Sequence, residues 1–352
     1  MSKPKLNIAL IFGGRSAEHE VSILSARSIY NAFDKDKYNI FPIAISEKGR
    51  WLNTKKSTAV LNSELEKVPE NSSNIMSKDL LDFLQNEIDL AFPVLHGPYG
   101  EDGKLQGFLD ILDIKYIGCD LSSSAVGMDK AIMKKIFAFH NIPQTKFLVL
   151  NKFEYDNYQE EDLYMKIKSN LGSSFFVKPA NMGSSIGINK VDCIKDFDKS
   201  LNAAFQHDSK IVLEKAVEAR EIEAAVLGFN GEVQVSVPGE IVSTHNFYDY
   251  QAKYKDETTN LIIPAAINLE AEKKIVELSA EVFNIIGASG LSRIDFFITK
   301  KDKRILVNEI NTMPGFTRFS MYPLLFKESG IAYIDLLDEL VSIALNKEKA
   351  NG

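Results

Sequence analysis

Cysteine is scarce in this chain: 352 residues contain two, Cys119 and Cys193, and neither belongs to a Cys-x-x-Cys pair. That excludes a disulfide framework and a thiolate zinc site. Long apolar runs are missing too. No stretch reaches the roughly 18 apolar residues of a membrane span, and Leu6–Phe12 is too short for the core of a signal peptide followed by a cleavage site. The cytoplasm is therefore the expected location, with no membrane partner. Excess positive charge is also absent. Lys and Arg number 41 against 48 Asp and Glu, a formal net charge of -7, which weighs against nucleic acid as the main partner. What is present is ordinary for a soluble enzyme: 45% hydrophobic and 25% charged residues, in a chain long enough for two or three domains.

Patterning divides the chain. Leu6–Phe12, Tyr38–Ile45 and Ile88–Leu95 read as buried strands, with helical patterns after Gly13-Gly14, where Ser16 can cap, and over Gly103–Leu112. Strands alternating with helices predict an open parallel α/β domain over roughly residues 1–120. Beyond it the order changes to α+β. A helix ends near His140, and a polar surface connection spans Asn151–Glu161. Phe175–Lys178, Ile211–Lys215, Glu221–Leu227 and Glu232–Val237 are strand-like, with a hairpin signal at Asn230-Gly231. His245–Asn260 reads as a long loop. Leu269–Ile286 is helical, Leu291–Thr299 and Ile305–Ile310 form an antiparallel pair around Lys301-Asp302-Lys303, and a helix closes the chain over Ile331–Asn346. The segments 54–73 and 151–161 receive no function.

The C-terminal hairpin carries the most chemistry. Alternation puts Arg293 and Asp295 on one face of their strand, and Val307, Glu309 and Asn311 on one face of theirs. If the strands pair through the turn, Asp295, Glu309 and Asn311 converge. Two carboxylates and an amide form an oxygen-only set suited to Mg²⁺ rather than zinc, usually completed by phosphate oxygens. An ordinary charged strand face is the alternative. At Phe175–Gly187 a strand delivers Lys178 into a Gly/Ser loop whose backbone N–H groups can cradle phosphates; a plain glycine-rich hairpin is the alternative. The lysine precedes the loop, so this is no Walker A motif, and no G-x-G-x-x-G fingerprint follows the first strand. Glu214, Lys215 and Glu221 flank a strand that could meet an adenine edge and a ribose, or simply be solvated. Glu18 stands where a first helix opens and could hold a substrate ammonium or complement the helix dipole. His96 lies after the third strand, where loops of an open α/β sheet form a ligand crevice, or is a loop histidine with its needs met locally.

Taken in order, these segments resemble the ATP-grasp superfamily and, within it, the D-alanine–D-alanine ligase family, nearly end to end. The pieces are GGRSAEHEVS (13–22), HGPYGEDGKLQG (96–107), MDK (128–130), VKPANMGSSIG (177–187), EKAVEAREIE (214–223), FYDYQAKY (247–254), RIDFF (293–297) and NEINTMPGFTRFS (308–320). The resemblance implies an N-terminal α/β substrate domain (1–120) and a two-part ATP-grasp fold. The parts would be a central subdomain (121–213) and a C-terminal subdomain (214–352) with the metal site and a lid over 245–260.

It also implies roles. Lys130 and Lys178 would bind ATP phosphates, Glu214, Lys215 and Val217 the adenine, Glu221 the ribose, and Lys253 the γ-phosphate from the lid. Asp295, Glu309 and Asn311 would hold two Mg²⁺ or Mn²⁺ ions. Glu18 and His96 would contact the first D-alanine and Ser320 the carboxylate of the second. Arg293 and Gly315 would surround the tetrahedral centre, and Ser184 and Tyr254 would join Glu18 in tying down the lid. Ala216 and Val217 are small where relatives carry larger residues, which touches ring stacking and not ATP use. The implied reaction is ATP-dependent ligation of two D-alanines through an acyl phosphate, with D-lactate as an alternative acceptor and a homodimer as the expected assembly.

Overall fold

The computed structural model describes residues 4–63, 65–70, 75–242 and 260–347. In the first third, β1 (Leu6–Gly13) runs between β2 (Tyr38–Ile45) and β3 (Leu90–Val94), and all three strands are parallel. β1 is apolar along its length because both of its faces are covered. Ile8, Leu10 and Phe12 join one core, and Ala9 and Ile11 join another. The helices are α1 (His19–Ala32), α2 (Thr54–Leu61), α3 (Lys78–Glu87) and α4 (Lys104–Ile111). The core around Ile8, Leu10 and Phe12 continues into Met313, Phe316, Tyr322 and Leu336 from the far end of the chain. One face of the first sheet is thereby covered in part by C-terminal residues.

Two helices, α5 (Leu121–Met128) and α6 (Lys130–Phe139), lead to a four-stranded antiparallel sheet. Its strands are β4 (Phe147–Asn151), β5 (Phe175–Pro179), β6 (Asn189–Val191) and β7 (Lys210–Lys215), in the order β4-β7-β5-β6. α7 (Lys152–Asp156), α8 (Glu160–Leu171) and α9 (Ile194–Phe205) complete this part. One face of the sheet packs on α8 and α9 through Leu163, Ile167, Phe197 and Leu201. The other meets α6 through Ala131, Ala180 and Val212.

The third sheet contains β8 (Ala219–Phe229), β9 (Glu232–Val235), β10 (Gly239–Val242), β11 (Asn260–Ile262), β12 (Gly290–Thr299) and β13 (Ile305–Asn311). Its order is β11-β10-β8-β12-β13, with β9 also on β8. One face packs on α10 (Leu269–Ile285) and α6, through Ile222, Ala224, Ile294, Phe296, Phe283 and Phe137. α11 (Met321–Glu328) and α12 (Tyr333–Asn346) close the chain. No helix among the described residues is long and apolar enough to cross a membrane.

Most of the expected elements are present within a residue or two. The β8–β9 hairpin turns at Asn230 and Gly231, both left-handed with φ of 53° and 87°, as a two-residue turn matching strand twist requires. Three readings are corrected. Ser16 does not cap α1, which starts at His19 with Glu18 at the cap position. Its hydroxyl donates to the His96 carbonyl at 2.5 Å and accepts the Glu18 N–H at 3.1 Å, one residue ahead of the helix. The 151–161 stretch is not a bare connection: it contains α7, set by the Glu154 carboxylate accepting from the Asn151 backbone N–H at 3.0 Å. Val307 does not share a face with Glu309 and Asn311. The β12–β13 register shifts after Asp295, so Asn308 is an extra residue and Val307 turns into the core beside Phe296 and Ile310.

Candidate active site

The loops after β1 and β3 deliver the first group. Glu18 is 7% exposed, and one of its carboxylate oxygens accepts the Ser184 hydroxyl, which arrives from the Gly/Ser loop after β5. The other oxygen lies against Gly97. A Cβ there would come within 2.6 Å of it, on a backbone at φ +74°, so no residue but glycine lets the carboxylate sit so close. His96, 2% exposed, donates through Nδ1 to the Met313 carbonyl at 3.0 Å and meets Ser25 Oγ through Nε2 at 3.1 Å. Ser25 in turn accepts from the Phe316 N–H at 3.3 Å, so the histidine is braced against the 313–316 loop. Burial pulls the imidazole down, but Glu101, 3.8 Å away, and Glu18 outweigh it and hold His96 above its ordinary pKa.

The second group lies on the other face of the third sheet, beside Ala225 and Leu291, which pack into the core of the first sheet. Arg293 stands opposite Asn311 and Asp295 opposite Glu309 across β12–β13, and Asp295 also faces Glu223 on β8. Directly paired residues point to the same side, so the register assembles the cluster. The Arg293 guanidinium grips Asp295 through two bonds of 2.7 and 2.8 Å and reaches Glu223 at 2.9 Å. The Asn311 amide donates to Asp295 at 3.0 Å. Glu309 lies 3.3 Å from the Lys130 ammonium, which also donates to the Met182 carbonyl at 2.9 Å. Burial alone would lower the Lys130 pKa, but the Glu309 charge and hydrogen bond raise it.

The third group lies on the α6-facing side of the second sheet. Lys178 on β5 and Glu214 on β7 share that face, with Nζ to Oε1 at 3.1 Å. The other Glu214 oxygen accepts from Thr145 Oγ1 at 2.9 Å and stands 3.4 Å from the Lys134 ammonium. Burial pushes the Glu214 carboxyl up, yet the two ammonium groups and the bonds from Lys178 and Thr145 hold it at about 2. α6 therefore reaches both sheets: Lys130 goes to Glu309 on the third, and Lys134, one turn on, to Glu214 on the second.

The remaining residues stand as follows. Ser320 caps the turn before α11, accepting from the Thr317 N–H at 3.0 Å, and Gly315 lies so close that a Cβ would be 3.1 Å from the Ser320 hydroxyl. Lys215 and Glu221 have exposed side chains and Val217 a half-buried one, and the Lys215 backbone donates to the Lys146 carbonyl at 2.9 Å. Lys253, Tyr254 and residues 245–259 of the expected lid lie outside the described residues. Four polar residues of the site were not singled out from sequence: Glu101, Lys134, Thr145 and Glu223. Glu223 had a signal, since it follows Glu221 by two on a strand and so shares its face. Lys134 had one as well, four residues after Lys130 on a helix.

Asp295, Glu309 and the Asn311 amide oxygen are all hard donors, and both carboxylates already sit against a cation, Arg293 or Lys130. A set that gathers positive charge through oxygen alone fits a divalent cation of the magnesium type.

Two family models and several known proteins match this chain. A family model described as "D-ala D-ala ligase N-terminus" matches residues 7–119, and one described as "D-ala D-ala ligase C-terminus" matches residues 136–342. A protein of Halothermothrix orenii named D-alanine–D-alanine ligase is 47% identical over 97% of this chain and 98% of its own length. One of the same name from Caldicellulosiruptor bescii is 44% identical over 98% and 96%. Among solved structures, the D-alanine–D-alanine ligase of Coxiella burnetii superposes with a TM-score of 0.82 at 31% identity, covering 99% of this chain and 96% of that one. The VanG D-Ala:D-Ser ligase of Enterococcus faecalis gives 0.81 at 34% identity, covering 97% and 100%.

Proposed function

This chain belongs to the D-alanine–D-alanine ligase family, and on that premise we propose how its residues divide the work of joining two D-alanines with ATP. The observation that carries the assignment is the three-part cluster: Glu18 with Ser184, Lys178 with Glu214, and Arg293 with Asp295, Glu309 and Asn311. The carboxylate oxygen of the first D-alanine attacks the γ-phosphorus of ATP, the bond to the β,γ-bridging oxygen breaks, and ADP leaves. The amine of the second D-alanine then attacks the acyl carbon of the resulting acyl phosphate. Phosphate departs, the amine loses its extra proton, and D-alanyl-D-alanine, a peptidoglycan precursor, remains.

No protein nucleophile is needed. Lys130 and Lys178 neutralise phosphate charge, and Arg293 faces the charge that develops at the tetrahedral centre. Glu18 holds the ammonium of the first D-alanine, braced by Ser184, with His96 beside it. Ser320 takes the carboxylate of the second, with the Gly315 backbone close by. Glu214, Lys215, Val217 and Glu221 take the adenine and ribose. Asp295, Glu309 and Asn311 would hold Mg²⁺ or Mn²⁺, two ions, which supply Lewis-acid neutralisation of the phosphates when bound. Lys253 and Tyr254 act from the lid, whose closure over 245–260 keeps water from the acyl phosphate.

The division 1–120, 121–213 and 214–352, a cytoplasmic location and a homodimer belong to the same reading, and sedimentation tests the last. The decisive assay is phosphate release from ATP with D-alanine, L-alanine, or no amino acid, with the dipeptide product identified. Release that depends on D-alanine and yields D-alanyl-D-alanine is expected. Preferential joining of D-alanine to D-serine or D-lactate would overturn the acceptor assignment.

A further inference from the structure

Lys134 is fully buried and takes no part in the reaction as described. Its ammonium makes no hydrogen bond among the described residues. Its carboxylate neighbour is Glu214, at 3.4 Å, and its ring neighbour is Phe147, whose centroid is 5.9 Å away. Removing an ammonium from water is costly, and an apolar residue of the same size is often the more stable choice. A role in the fold alone therefore explains the position poorly.

The two oxygens of Glu214 suggest another role. One is held by Lys134 and by Thr145; the other faces Lys178 at 3.1 Å. Lys134 is anchored in α6, and its own carbonyl accepts the Gln144 amide at 2.8 Å. Lys178 keeps 11% of its side chain exposed. We infer that Lys134 is a positioning residue for the nucleotide: by sharing the charge of Glu214 it keeps that carboxylate from fully sequestering Lys178, which stays set and available for an ATP phosphate. Without Lys134, Lys178 is the one ammonium among the described residues left beside Glu214 and is drawn toward it. The inference rests on the phosphate role of Lys178, and the test separates the two.

Lys134→Met keeps the stem and removes the charge. Magnesium ATP is titrated calorimetrically without D-alanine into the wild type, Lys134→Met, Lys178→Met and the double variant, and steady-state constants are measured beside it. Expected are a loss of ATP affinity of about tenfold or more in Lys134→Met and a D-alanine KM within about twofold of wild type. In the Lys178→Met background the further loss should shrink to about twofold, because the two residues act through one carboxylate. Equal losses in both backgrounds, or a lower Tm with ATP affinity intact, overturn the inference. An unchanged affinity in Lys178→Met overturns instead the phosphate role of Lys178. Should Lys134→Met not fold, Thr145→Val removes the other hold on the same oxygen. It must then weaken ATP binding selectively, and unchanged affinity there overturns the inference.

Discussion

Replacing Glu309 by glutamine removes one negative charge from the point where β13, Lys130 and the proposed cation site meet, with almost no change in shape. Glu309 Oε2 stands 3.3 Å from the Lys130 ammonium, and the side chains are 22% and 11% exposed. At an effective dielectric of about 20, two unit charges at that distance attract by about 5 kcal/mol before desolvation is subtracted. Desolvation takes back much of it, and Lys130 keeps its bond to the Met182 carbonyl, so the fold should lose only about 1–2 kcal/mol and Tm a few degrees. The reaction should lose more. The carboxylate is one of two that would hold the divalent cation, and charge stabilisation of about 4 kcal/mol corresponds to roughly 10³-fold in rate. ADP release in a coupled assay at saturating magnesium, ATP and D-alanine reads kcat, and a thermal melt reads the fold. A kcat within tenfold of wild type at saturating magnesium would refute the ligand assignment. A collapsed melt would show instead that Glu309 acts mainly on stability.

Four further outcomes are expected. Lys178→Ala should raise the KM for ATP and lower kcat, because an ammonium that meets phosphate acts in both ground and transition states; a change confined to the D-alanine constants would contradict the phosphate role. Ser184→Ala removes the hydroxyl bonded to the Glu18 carboxylate. Such a bond contributes about 1.5–3 kcal/mol, so kcat/KM for D-alanine should fall by about 10- to 150-fold, and an unchanged value would separate Ser184 from the substrate site. Tyr254→Phe should slow dipeptide synthesis and make D-alanyl-D-lactate measurable when both acceptors are offered; an unchanged rate and product ratio would remove Tyr254 from the lid. Acid stability should follow Glu214. Its folded pKa of about 2 lies below the ordinary 4.5, so its stabilising contribution is present above about 4.5 and lost as pH falls toward 2. Thermal melts should drop more steeply across that window in the wild type than in Glu214→Gln, and parallel curves would count against the pairing with Lys134 and Lys178.

The sequence by itself determined whatever depends on local period and turn length. β1 is apolar without alternation and is central; Asn230-Gly231 closes a hairpin; Arg293 and Asp295 share one face of β12, as Glu309 and Asn311 share one face of β13. A strand shows its faces every second residue, so this much of the proposed metal site was legible before any coordinates. The same rule failed at Val307, because a single extra residue reverses all faces beyond it, and nothing local marks Asn308 as that residue.

Only the tertiary structure decided which distant groups touch. Ser184 and Glu18 are 166 positions apart, and their bond depends on how the loop after β5 approaches the end of β1. Lys134 and Glu214 meet because α6 packs across the second sheet. Their buried charges have pKa values and roles set by neighbours from other elements. A side chain's chemistry can be read from its type, but its charge state and partners follow from burial, which is a property of the whole fold.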